Sequence, residues 1–184
     1  ENGRMLRNIV PIEADRKEQL GGSSSVELLW HIEEAFHPKR ADMLTIMCYR
    51  NAEKAGTNVC SLDQIKIPQK IYQVLSEPRF IIEPDKSHFP ANNESKNWKL
   101  EIEHFKKIKS FLENPIPTPT IYGPPGFERM VVDQAFTKAI PNDHEAEKAL
   151  NWFYQRMTEH KTTVQMKSGD ILLLDNRNTC LLYT

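Results

Sequence analysis

His31 and Glu33 stand one residue apart, directly after the apolar run Val26 to Trp30, which reads as a β-strand. Side chains two apart on a strand project from one face, so an imidazole and a carboxylate would lie side by side. On a helix the same spacing would turn them about 200° apart, and the pair would lose its meaning. Both groups are donors to a first-row divalent metal. With a histidine from a distant strand they would form a three-donor face that leaves three positions open for other ligands. The ordinary alternative is a histidine satisfied by a nearby surface acid.

The elements that must hold such a pair can be read along the chain. Met43 to Tyr49 is a nearly continuous apolar run of strand length, expected to be buried, and Thr57 to Ser61 is a shorter strand of the same kind. Pro68 suits the first turn of a short helix over Gln69 to Leu75, and Arg79 to Glu83 returns to strand character. Ile102, Phe105, Ile108 and Leu112 recur at helical spacing, and Asn114 and Pro115 end that stripe. Pro115 to Pro125 holds five of the twelve prolines, which leaves room for a short strand at Thr120 to Tyr122. Arg129 to Asp133 reads as another strand. Asn142 with Glu145 resembles a capping box ahead of the stripe Ala146, Ala149, Leu150, Phe153 and Met157, the surest helix in the chain. Thr162 to Met166 and Ile171 to Leu174 read as antiparallel strands joined through Ser168-Gly169-Asp170. Strands outnumber helices, and the helices fall in the connections, so the expected class is α+β, a mainly β sandwich or barrel with helical insertions.

Composition narrows the partners. Lysine and arginine number 24 against 25 acids over 184 residues, with no isolated basic block, so nucleic acid is not an expected partner. No apolar stretch approaches the roughly 20 residues that cross a bilayer, and residues 1–7 lack the apolar core of a signal peptide, so a cytoplasmic location without membrane is expected. Cys48, Cys60 and Cys180 are odd in number and widely spaced, which reads as reduced, partly buried thiols. No glycine-rich turn follows a strand into a helix, so neither a P-loop nor a dinucleotide fingerprint is present.

The run Val26-Glu-Leu-Leu-Trp-His-Ile-Glu-Glu-Ala-Phe-His-Pro-Lys-Arg-Ala-Asp42 and the strand ending at Cys48-Tyr49-Arg50 resemble the clavaminate-synthase-like iron and 2-oxoglutarate dioxygenases. The resemblance continues through Ala55-Gly56-Thr57, Pro84-Asp85-Lys86-Ser87-His88 and Val132-Asp133-Gln134, and closes at Gly169-Asp170-Ile171-Leu172-Leu173-Leu174-Asp175-Asn176-Arg177. It covers most of residues 20–178. It implies a double-stranded β-helix core of the jelly-roll or cupin-like type, with Fe(II), 2-oxoglutarate and O2 used to hydroxylate an unactivated carbon of a free L-amino acid. By position, His31 and Glu33 would bind iron, and Thr57 would hydrogen-bond a 2-oxoglutarate carboxylate. Asp133, with Glu33, would face the substrate, where a carboxylate withdrawn from water needs a cationic partner. The pair Asp133-Gln134 looks more like the family's lysine hydroxylases than its arginine hydroxylases, so L-lysine is the expected substrate, with L-arginine or L-asparagine as alternatives. Without the resemblance, Thr57 reads as an ordinary strand threonine and Asp133 as a turn cap.

The sequence departs from the family at one place. The third ligand should be a histidine a few residues beyond Asp-Asn, followed by Gly-Arg, whereas Asp175-Asn176-Arg177-Asn178-Thr179-Cys180 runs into Leu181 and the last histidine is His160. The arginine expected to pair with 2-oxoglutarate is missing as well. The expectation is a single domain over 1–184, incomplete at its N-terminus and around 180–184, with Leu181 to Thr184 belonging to a later strand. The competing readings are a catalytically inactive amino-acid-binding jelly roll that lacks the third ligand, and a cupin-like metalloenzyme that uses no 2-oxoglutarate. Of the other histidines, His37 is expected to be structural, His88 to line a lid, and His104, His144 and His160 to be solvated.

Overall fold

A computed structural model describes Lys17, Gln19, residues 26–85, His88, Lys106, Lys109, Ser110 and residues 112–183. The strands are β1 (Leu28–His31), β2 (Met43–Met47), β3 (Thr57–Ser61), β4 (Phe80–Ile82), β5 (Ile121–Tyr122), β6 (Arg129–Met130), β7 (Thr137–Ala139), β8 (Thr162–Val164), β9 (Ile171–Asp175) and β10 (Thr179–Tyr183). Helices α1 (Gln69–Leu75) and α2 (His144–His160) lie in the connections. The class is α+β and mainly β, as the pattern of apolar runs indicates.

Among the described residues all strand pairings are antiparallel. A four-stranded sheet has the order β1-β10-β3-β8, and β2-β9, β4-β7 and β5-β6 form two-stranded sheets. Trp30, Ile32, Cys60, Cys180 and Leu182 enter one continuous core with Ala146, Ala149, Leu150, Phe153 and Met157 of α2. Trp30 is fully buried and its indole N–H donates to Thr158 Oγ1 at 2.9 Å, which ties β1 to α2. Burying one indole is worth at most about 4–6 kcal/mol of transfer free energy, so this contact fixes the strand that carries His31.

Several expectations need correction. Helix α2 is capped by Asp143, whose carboxylate accepts from Ala146 N–H at 3.0 Å, while Asn142 sits before it at φ 67°. A short polar side chain tolerates that left-handed conformation, so Asn142 shapes the approach instead of capping. The expected hairpin of Thr162–Met166 with Ile171–Leu174 does not form. β8 pairs with β3, while β9 pairs with β2, so the turn between them carries the chain from one sheet to another. Nor is β2 buried. Its residues alternate, with Met43 and Met47 about half exposed and Tyr49 beyond it 81% exposed, as befits a two-stranded sheet with one open face. The helix expected around Ile102, Phe105 and Ile108 falls largely outside the described residues; Lys106, Lys109, Ser110, Leu112 and Glu113 are helical. The three cysteines are buried and unbridged.

Candidate metal and substrate site

β1 is flanked on both sides. On one side it pairs with β10, His31 opposite Leu181 and Leu28 opposite Tyr183, with an irregularity between the two pairs. On the other, Gln134 N–H donates to the Trp30 carbonyl at 2.7 Å and Ile32 N–H to the Val132 carbonyl at 3.1 Å, which places His31 directly across from Asp133. Those two bonds bracket the His31–Asp133 pair without passing through it. This is the close, non-hydrogen-bonded position of an antiparallel ladder, where facing side chains approach most nearly.

The strand ends at His31, so Glu33 opens the following turn instead of continuing the strand. The alternation survives nonetheless: Ile32 is in the core, and His31 Nε2 lies 3.7 Å from Glu33 Oε2 on the other side. Asn176 holds the turn. Its side chain accepts from Glu33 N–H at 2.8 Å and donates to the carbonyls of Glu33 at 3.1 Å and Ala41 at 2.9 Å, and it is 1% exposed. Glu34 takes φ 53°, which turns the chain away immediately after the carboxylate.

The imidazole is oriented for ligation. His31 Nδ1 is 2.8 Å from the Leu29 carbonyl, and a carbonyl can only accept, so Nδ1 carries a proton and Nε2 is the nitrogen that faces Glu33. A second-nitrogen bond of this kind is how metal-ligating histidines are fixed in tautomer and angle.

Asp133 is a half-buried carboxylate whose pKa is pushed up to about 6, chiefly by burial. His31 and the N–H groups of Ala135 and Phe136 oppose that rise, and the charge of Asp85 adds to it. Its Oδ1 accepts from Ala135 N–H at 2.9 Å. Asp85 is thus close enough for its charge to act on Asp133. Asp85 is also 3.6 Å from His88, whose ring packs edge-on to Phe36 at 4.6 Å between centroids.

Thr57 is buried and lies two strands from β1, opposite Tyr183 on β10. Cross-strand partners share a face, so Thr57, Tyr183, Leu181 and His31 all point to the same side of the sheet. Tyr183 was not singled out in the sequence. Its ring centroid is 5.8 Å from that of His31, and its hydroxyl is pushed up to about 12 by burial and then by the charge of Glu33. Asn176 was legible only as part of a motif.

The other histidines stay away from this centre or support its rim. His37 Nδ1 accepts from Lys39 N–H at 3.0 Å within the turn. His144 is 3.4 Å from Glu147, and His160 Nδ1 is 2.9 Å from the Arg156 carbonyl at the end of α2. His104 lies outside the described residues. A cavity of about 390 Å³ adjoins the turn after Glu33, lined by Ala35, Phe36, Arg40, Ile82, Tyr122 and Val131 among others, but it contains none of His31, Glu33, Thr57 and Asp133.

His31 and Glu33 are two of the three protein donors that the family resemblance implies. Among the described residues no three His, Cys, Asp or Glu side chains are grouped so as to hold a metal ion. The neighbour of His31 on β10 is Leu181, so the donor set does not complete a facial triad.

Known proteins agree with the sequence resemblance. The chain is 32% identical over 184 residues to an L-ornithine/L-arginine 3-hydroxylase of Catenulispora acidiphila, an alignment covering 96% of this chain and 53% of that protein. It is 28% identical to an enduracididine beta-hydroxylase of Streptomyces hygroscopicus, covering 96% and 53%, and 25% identical to an L-lysine 3-hydroxylase of Catenulispora acidiphila, covering 96% and 45%. The crystal structure of the non-heme iron oxygenase OrfP in complex with Fe, succinate and (3S)-hydroxy-L-Arg superposes with a TM-score of 0.83 at 31% identity, covering 95% of this chain and 51% of that one. The curated relatives are amino-acid hydroxylases, and the solved structure is that of a non-heme iron oxygenase. It spans about half the length of the curated hydroxylases it matches. No protein-family model matches it. Of these curated relatives, the one named for L-ornithine and L-arginine is more similar to the chain than the one named for L-lysine. Among the described residues no helix is long and apolar enough to cross a membrane.

Proposed function

We propose that this chain, as a single domain over 1–184, forms the metal and substrate region of a hydroxylase acting on a free basic L-amino acid, with arginine or ornithine ahead of lysine. The observation that carries this reading is Asp133, a carboxylate raised toward neutrality by burial and set directly across from His31. A carboxylate so placed gains most from a cation, and a guanidinium or ammonium bound there would sit within about one strand spacing of His31. The relatives named for arginine and ornithine support the same substrate class.

In this reading His31 and Glu33 would hold Fe(II), which with 2-oxoglutarate as cosubstrate would supply O2 activation. Thr57, on the shared face two strands away, would hydrogen-bond a carboxylate of 2-oxoglutarate. In this reading the antiparallel sheets belong to a double-stranded β-helix core, which the superposition on the non-heme iron oxygenase OrfP supports. The chain's own residues act by positioning: Leu29 and Asn176 orient the two donors, Asp133 holds the cationic group, and Tyr183 and Leu181 cover the face from water.

A second reading is favoured by Leu181 opposite His31, namely that the chain binds a basic amino acid without turning it over. Calorimetry of amino-acid binding, alongside succinate release at saturating Fe(II), separates the two. Arginine- or ornithine-dependent succinate supports hydroxylation; binding without succinate supports the second reading; binding that does not discriminate basic from neutral amino acids contradicts both.

A further inference from the structure

We propose that position 181 is the third donor seat of this site, and that Leu181, standing in it, leaves a bound metal ion with only two protein donors. The inference rests on the reading of His31 and Glu33 as metal ligands. Along the sheet, His31 has two cross-strand neighbours: Asp133 on one side and Leu181 on the other. Facing side chains of an antiparallel pair lie on one face with Cβ atoms about 4.5–5.5 Å apart, so a side chain at 181 is aimed where the imidazole is aimed. Alternation along β10 confirms the assignment of faces. Cys180 and Leu182 belong to the core on the far side of the sheet, and Leu181, though 1% exposed, does not.

Neighbouring groups do not take over the role. Cys180 Sγ is 3.8 Å from Met130 Sδ on the opposite face, so its thiol cannot reach His31 without reversing the strand register. Asp133 is engaged by the Ala135 N–H, and with His31 and Glu33 it does not make a three-donor cluster. Leucine at 181 offers no lone pair. It seals the face with hydrocarbon at the point where a nitrogen or sulfur would complete the set.

The test uses Co(II) as a spectroscopic stand-in for Fe(II), on the full chain and on Leu181→His and Leu181→Cys, each with and without His31→Ala. Leu181→His is expected to bind Co(II) at least about tenfold more tightly than the unaltered chain, since a direct ligand should outweigh the 10–100-fold effect typical of groups one shell further out. Leu181→Cys is expected to show a thiolate-to-cobalt charge-transfer band in the near ultraviolet that the unaltered chain, despite its three buried cysteines, does not. His31→Ala should abolish both gains. If a buried imidazole at 181 prevents folding, Leu181→Cys decides, because a thiol is smaller than leucine and suits a buried site. A folded Leu181→Cys protein that binds Co(II) without the band overturns the seat. An unaltered chain that binds as tightly as Leu181→His overturns the two-donor statement. Binding indifferent to His31→Ala in every background overturns the metal reading itself and leaves the register of β1 and β10 untouched.

Discussion

Asn176→Ala removes the clamp under Glu33. The side chain satisfies three backbone groups at once, the N–H and carbonyl of Glu33 and the carbonyl of Ala41, and is 1% exposed. Each group left buried without a partner costs about 1–3 kcal/mol. Glu33 and Ala41 are themselves exposed, so part of that loss is recovered by water, and the expected destabilisation is about 2–4 kcal/mol. Urea unfolding followed by circular dichroism measures it. Asn176→Asp sharpens the reasoning. It keeps the acceptor for Glu33 N–H but sets an oxygen against two carbonyl oxygens, so at neutral pH it should be at least as damaging as alanine. Its carboxyl would have a pKa above the unfolded value, so stability should return in part as the pH falls and the group becomes a donor. An alanine variant within about 0.5 kcal/mol of the parent, the range of an unremarkable surface substitution, would refute the clamp.

Asp133→Asn should weaken arginine or ornithine binding by about 10- to 100-fold, the equivalent of one charge-assisted hydrogen bond, and leave neutral amino acids unaffected in calorimetry. Thr57→Val keeps the shape of the strand and removes the hydroxyl; the concentration of 2-oxoglutarate giving half-maximal succinate release should rise about tenfold, with stability little changed. Asp143→Asn tests the link between β4 and α2. Arg79 hydrogen bonds first, then the Ala146 N–H, hold the Asp143 carboxyl at about 2, below its ordinary 3.8. The stabilisation is therefore present above that ordinary value and lost as the pH falls through about 2, and the asparagine variant should be less stable at neutral pH with a flatter acid limb.

Local chemistry made part of this structure readable. Thr57–Ser61 and Gln69–Leu75 match β3 and α1 to the residue, the first read as a short strand-length run and the second opened by Pro68. The stripe from Ala146 to Met157 named the buried face of α2, because 3.6-residue periodicity is a property of the helix alone. Pairing was harder. Gly169, at φ 94°, does make a turn, but its N–H bonds to Cys48 O and Cys48 N–H to Asp170 O, which docks it on the end of β2 instead of closing a hairpin. A turn signal says that the chain bends and is silent on which strand it meets.

The site shows the same division. His31 and Glu33 could be singled out because their spacing is local and the strand that carries His31 is written in the flanking residues. The neighbours that decide their chemistry, Asp133, Leu181 and Asn176, come from 102, 150 and 143 residues away along the chain from His31 or Glu33, respectively. Leu181 in particular looked like part of a different strand, whereas β10 runs unbroken from Thr179 to Tyr183 and brings it opposite His31.

The most direct measurement is succinate release by the purified chain with saturating Fe(II), 2-oxoglutarate and a panel of free amino acids, with His31→Ala in parallel. The expected result is release that depends on arginine or ornithine, is lower with lysine, is absent with neutral amino acids and is lost in His31→Ala. Release that neutral amino acids support equally, or that His31→Ala leaves intact, would contradict a hydroxylase site built on His31 and Asp133.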